Sequence, residues 1–155
     1  MTAVGSSMRL TRLGVAVAFT LALVSLLLSP LAAAGATLLA IYTAQPPASA
    51  PAGGAIGVPV TVANAGTDTW NATGPNPVNL SYHWTDLGGK AIVWDGARTL
   101  LPAPVAPGAS VTLNASVTTP ATPGIFALKF DLVQEGVSWF SGQGVPAESI
   151  SLTVQ

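Results

Sequence analysis

Val78-Asn79-Leu80-Ser81-Tyr82-His83-Trp84-Thr85 alternates without a fault. Val78, Leu80, Tyr82 and Trp84 fall on one side, and Asn79, Ser81, His83 and Thr85 on the other, the period of a half-buried strand. The same period recurs in both directions along the chain. Upstream, Ile56, Val58, Val60 and Val62 alternate with small or polar residues. Downstream come Val111, Leu113, Ala115 and Val117, then Phe126, Leu128, Phe130 and Leu132 opposite Lys129 and Asp131, and finally Ile150, Leu152 and Val154. Leu38 to Thr43 reads as an opening strand, and Gln45 to Gly54 as a Pro/Ala/Gly connector. Ala91 to Trp94 reads as the second arm of a hairpin turning at Asp86-Leu87-Gly88-Gly89-Lys90. Asn64-Ala65-Gly66, Gly74-Pro75-Asn76-Pro77, Pro107-Gly108 and Pro123-Gly124 are turn sequences. About seven to eight strands at intervals of roughly ten residues predict an all-β fold, an immunoglobulin-like antiparallel β-sandwich.

Composition narrows the chemistry. The 155 residues carry 7% charge, with five Lys/Arg, six Asp/Glu, one His and no Cys, against about 25% charge in an ordinary soluble domain. Without cysteine there is no disulfide framework, thiolate zinc site or cysteine nucleophile. Three scattered cations, with the other two in the N-terminal segment, cannot build a basic nucleic-acid surface, and six acids leave little for a carboxylate metal cage.

Residues 1–36 read as an export leader, either a cleaved signal peptide or a retained membrane-anchor helix. Arg9 and Arg12 precede the uncharged run Leu13 to Leu28, Pro30 interrupts it, and Ala32-Ala33-Ala34 and Ala34-Gly35-Ala36 both fit a signal-peptidase site. The anchor reading stands because about 20 apolar residues span a bilayer. Either way the basic leader keeps the N-terminus inside, so residues 37–155 are expected outside the cytoplasm, secreted or tethered to the outer face. Membrane contact is then confined to the N-terminal segment. The remaining chain holds three cations against six acids, a net charge of −3, on a surface of Thr, Ser, Asn, Gln and Gly.

Candidate chemistry is sparse. His83, with Asp86, is the one candidate for a weak metal site, or it is a base for a serine; solvent exposure or a cross-strand hydrogen bond is the ordinary alternative. Asp131 and Glu135 are the best carboxylate pair, and surface pairing of Asp131 with Arg98 or Lys129 is their ordinary role. Trp94, Trp139, Phe140 and Tyr42 are candidates for an aromatic platform on which a sugar ring stacks; otherwise all four tryptophans plug the core. Since neighbours on a strand face opposite sides, one of Trp139 and Phe140 is expected to be partly exposed or to lie under a loop. Trp70, Trp84, Tyr82, Phe126 and Phe130 are the expected structural core. The sequons at Asn71, Asn79 and Asn114 follow from composition.

Four motifs in order carry a resemblance: Val62-x-Asn64-x-Gly66-Thr67-x-x-Trp70, Val105-x-Pro107-Gly108-x-x-Val111, Pro120-x-x-Pro123-Gly124-x-x-x-Leu128 and Trp139-Phe140. Together they resemble the immunoglobulin-like four-tryptophan domain, over residues 55 to 155. Leu80 to Trp84, Asp95-Gly96-x-Arg98-Thr99 and Asp131 to Phe140 look closest to its bacterial cell-surface subgroup. The resemblance implies a non-catalytic module for protein recognition or spacing at the cell envelope. No catalytic, metal or cofactor residue follows from it, and the partner is an unidentified protein or glycan. Two alternatives stay open, a small carbohydrate-binding module using Trp94 or Trp139, and a subunit of a surface filament or layer. From the residues alone, Asn64-x-Gly66 is expected to combine side-chain-to-backbone bonding with a positive φ.

Overall fold

The computed structural model describes residues 37–155. The expected signal or anchor helix over 1–36 lies outside the described residues. Ten strands form: β1 Ala40–Ala44, β2 Ser49–Ala50, β3 Ala55–Asn64, β4 Val78–Thr85, β5 Ala91–Val93, β6 Thr99–Leu100, β7 Ser110–Thr118, β8 Gly124–Gln134, β9 Ser138–Trp139 and β10 Glu148–Val154. The one helical element among the described residues is a single 3-10 turn, Ser141–Gln143. The connector reading of Gln45 to Gly54 misses β2, which pairs in parallel with the end of β10.

Two open sheets result. β1-β3-β7 is the smaller, and β2-β10-β8-β4-β5 is the larger, with β6 also paired to β4 and β9 to β8. One apolar core joins them: Val58, Val60 and Val62 from the smaller sheet, and Leu80, Tyr82, Trp84, Leu128, Phe130 and Leu132 from the larger. The described residues therefore form an all-β, two-sheet structure. Trp70, Trp84, Tyr82 and Phe130 sit in the core as expected, while Phe126 packs against it half-buried. Trp70 closes one end, bridged to Val105 and edge-on to Phe140 with ring centroids 5.6 Å apart.

Polar side chains bridge the sheets where a disulfide is absent. Trp84 Nε1 donates to the Thr118 carbonyl at 2.9 Å, and Tyr82 Oη accepts the Thr118 N–H at 3.0 Å. Tyr42, on β1, accepts the Leu132 N–H at 3.1 Å. Burial, and then the neighbouring Asp131 charge, push the Tyr42 phenol well above its ordinary pKa, so it stays a neutral donor and acceptor. Turn chemistry follows the sequence reading at Gly89 and Gly108, both at positive φ. Gly66 departs from it and is absent from the positive-φ residues. The reason is local: Asn64 Oδ1 accepts the Gly66 N–H at 3.1 Å and closes the turn through its side chain, while Nδ2 donates to the Asp68 and Val105 carbonyls.

Candidate functional site

β4 is buried along its whole length, on both faces. Asn79, Ser81, His83 and Thr85 were expected on a solvated face and instead lie under cover. The β5 to β6 connection runs along the edge of β4 and supplies part of the cover, Trp94 over His83 and Arg98 over Ser81. Trp139 and Glu135 supply more, over His83 and Asn79. Gly96 lies directly on β4, its N–H donating to the Tyr82 carbonyl at 3.0 Å and its carbonyl accepting from Ser81 Oγ at 2.9 Å.

This placement decides the environment of His83, which is 2% exposed. Trp94 stacks on the imidazole with centroids 4.3 Å apart and planes 18° apart, and Trp139 meets it edge-on at 4.5 Å. His83 Nδ1 is hydrogen-bonded to the Trp94 carbonyl, the cross-strand alternative of the two ordinary readings. Nε2 lies 3.7 Å from Asp131 Oδ2 and has no hydrogen-bond partner among the described residues. Asp131 is itself fully buried, which corrects its assignment as a surface partner of Arg98 or Lys129. Its carboxylate accepts from the Ser141 N–H at 3.3 Å and from Tyr42 Oη at 3.5 Å.

Arg98 turns the other way. It donates to Glu135 at 2.7 Å through Nε, to Asp95, and to Ser81 and the Gly96 carbonyl through Nη1. Its guanidinium carbon stands 4.9 Å from the centre of the Trp139 ring, a cation–π distance. Asn79 Nδ2 joins the same Glu135 oxygen at 3.0 Å. Asn79 is thus buried and bonded, so its sequon is closed to modification in the folded chain. The Arg98 hydrogen bond holds the Glu135 carboxyl below its ordinary pKa, with Asn79 assisting and burial opposing. A depressed carboxyl adds stability above its unfolded pKa and loses it as pH falls through the folded value. Glu135→Gln is therefore expected to flatten the acid limb of melting temperature against pH, below about pH 4.5, and to leave the neutral region nearly level. The effect is small, since the Glu135 side chain is still 32% exposed and water screens the pair.

The four platform candidates separate. Trp94 is 54% exposed and Trp139 half-buried, whereas Phe140 and Tyr42 are buried. Phe140 is thereby corrected from platform to core: its ring packs on Trp70, and its N–H donates to the Leu132 carbonyl. The alternation argument holds, with Trp139 outward and Phe140 inward. Asp86 does not join His83; it closes the hairpin by accepting the Lys90 N–H at 2.8 Å. Among the described residues no group of three His, Asp or Glu side chains is placed to hold a metal ion.

A cleft of about 300 Å³ opens beside Trp94 on the outer face of the larger sheet, lined by His83, Trp94, Lys129, Ser141, Ala147 and Ser149. Register builds its floor: Lys129 on β8 is paired with His83 on β4 and with Ser149 on β10. Sequence reading did not find this cleft. Lys129 opposite His83 follows from strand pairing, and the loop containing Ser141 and Ala147 is brought in by the chain's return into β10. Chemically the site offers an indole wall, two hydroxyls and one amine. Of the two imidazole nitrogens, Nδ1 is bonded to the Trp94 carbonyl and Nε2 faces Asp131, out of contact with solvent.

No family model matches the sequence, and no curated protein matches it. Among solved structures the chain is similar to a β-glucosidase from Listeria innocua in complex with glucose, at 12% identity and a TM-score of 0.49, covering 76% of this chain and 16% of that one. It is also similar to a family 123 glycoside hydrolase from Clostridium perfringens, at 9% identity and a TM-score of 0.31, covering 75% and 27%. The ASH/PapD-like domain 7 of human CEP192 matches at 14% identity and a TM-score of 0.33, covering 85% and 94%. The chain thus spans less than a third of either hydrolase.

Proposed function

We propose that residues 37–155 are an immunoglobulin-like module of the four-tryptophan kind that acts outside the cytoplasm, secreted or tethered, as a non-catalytic recognition element. The observation that carries this reading is Trp94. An indole more than half open to water, yet held in place by a stack on buried His83, is a preorganised anchor of the type that dominates binding surfaces. Ile92 is exposed on the same hairpin two residues earlier, and Leu87 is exposed at its turn. The burial of His83, with Nδ1 on the Trp94 carbonyl and Nε2 turned toward Asp131, supports a role without catalysis. Trp70 and Trp84 as core plugs, and the side-chain-closed turn at Asn64, support the family resemblance.

The test is adhesion of the purified full chain to envelope material from the cells that make it. Trp94→Ala is expected to reduce retention about tenfold or more, the effect of removing one aromatic hot spot worth about 2 kcal/mol, with an unchanged circular dichroism spectrum. Retention unaffected by this substitution would favour spacing over recognition. Carbohydrate binding is the second reading, favoured by the polar cleft beside the same indole.

A further inference from the structure

The cleft beside Trp94 has a chemical character more specific than a general recognition face. Its volume, about 300 Å³, lies at the lower end of small-ligand pockets, which suits one ring with its neighbours projecting outward. Trp94 stands at its wall with one ring face covered by His83 and the rest exposed. An indole presented this way takes a flat, weakly polar C–H face.

Lys129 is the second observation. It is half-buried on the outer face, in one row with His83 and Ser149, whose Cβ atoms lie roughly 5 Å from its own by sheet geometry. Among the described residues no carboxylate lies within salt-bridge distance of it. Asp131, the next outward residue on the same strand, is committed to Ser141, Tyr42 and the edge of His83. A half-buried amine with no acid partner, set between two hydroxyls and an indole, matches a single carboxylate on a hydroxylated ring. Polyphosphates fit poorly, because Lys129 is the one cation lining the cleft and the Asp131 charge sits behind it.

We propose that this cleft is a subsite for one uronic-acid residue of an acidic polysaccharide. The pyranose lies against Trp94, its carboxylate meets the Lys129 amine, and its ring hydroxyls meet Ser141 and Ser149. This rests on the reading of the Trp94 face as the recognition surface, and narrows the ligand to an anionic sugar.

The test is a nuclear magnetic resonance titration of the full chain with methyl β-D-glucuronide and methyl β-D-glucoside, a pair differing only in the carboxylate. The glucuronide is expected to bind about tenfold more tightly, on the order of 1.4 kcal/mol, and to shift the Trp94 indole N–H with the amides of Lys129 and Ser149. Lys129→Met is expected to bring the glucuronide down to the glucoside's affinity without altering the glucoside's own. Trp94→Ala is expected to weaken both. Equal affinity for the two glycosides overturns the proposal. So does sodium acetate producing the same shifts at the same concentrations, which would make the site a bare anion pocket. Binding of an acidic peptide at these residues with neither glycoside bound also overturns it, while leaving the recognition reading intact. That reading stands or falls separately, on the adhesion of the Trp94→Ala chain.

Discussion

Trp84→Ala is expected to lower the stability of this protein by about 3–5 kcal/mol, a large part of the roughly 5–15 kcal/mol that holds a small domain folded. The side chain has no exposed surface and stands between the two sheets, edge-on to Phe126 with centroids 6.3 Å apart. Its Nε1–H reaches the Thr118 carbonyl at the end of β7, so truncation opens a cavity and also strands an acceptor on the facing sheet. Urea unfolding followed by far-ultraviolet circular dichroism measures the change. Trp84→Phe separates the two contributions: it keeps most of the buried ring and loses the bond, and should cost roughly 1–3 kcal/mol. A loss below about 1 kcal/mol for the alanine variant would mean that this indole does not join the sheets.

Gly96→Ala is also expected to be destabilising, although it adds a single methyl group. A Cβ at this position would stand 2.5 Å from the Tyr82 carbonyl oxygen and 2.8 Å from two carbons of the Tyr82 ring. Backbone oxygen cannot rotate away, so the Trp94 to Arg98 connection must lift from β4. The lift breaks the Gly96 N–H bond to Tyr82 and the Ser81 bond to Gly96. It also draws Trp94 from His83 and Arg98 from Trp139 and Glu135. Overpacking of this kind costs about 1–3 kcal/mol, measurable by the same unfolding experiment. Its particular signature is at the site: the His83 ring protons, now shielded by the stacked indole, should move toward ordinary shifts. A stable variant with His83 unmoved would show that the connection does not need its close approach to β4.

Both results bear on how much of the molecule is legible in its sequence. Strand positions are legible because alternation of apolar and polar residues is a property of neighbours along the chain. β4 coincides with the alternating stretch from Val78 to Thr85, and β3, β7, β8 and β10 enclose the alternating runs assigned to them. The two-residue strands β2 and β6 are not legible, since they pair only because longer strands present free edges nearby. Alternation also says which residues share a face, without saying what lies against that face. Asn79, Ser81, His83 and Thr85 do share one, and Asp131 joins it, but groups from distant segments lie against it: Trp94 and Trp139 on His83, Arg98 on Ser81, Glu135 on Asn79 and the Ser141 backbone on Asp131. Their burial is a long-range consequence, invisible to periodicity.

The candidate site divides in the same way. Trp94 was a platform candidate beside the alternative that it plugs the core, and its exposure was not legible; the opposition of Trp139 to Phe140 followed from strand geometry, but which of the pair turned inward did not. Lys129 and Ser149 are twenty residues apart and became neighbours only through the pairing of β8 with β10. By itself the order of residues determined an all-β chain with tryptophans in its interior, because hydrophobic period and turn chemistry act over a few positions. Only the tertiary structure decided that a polar strand face is buried, that His83 lies between two indoles, and that an amine, two hydroxyls and an indole meet in one cleft. Those outcomes depend on which distant strands pair and which loops then cross them, and no short-range pattern contains that information.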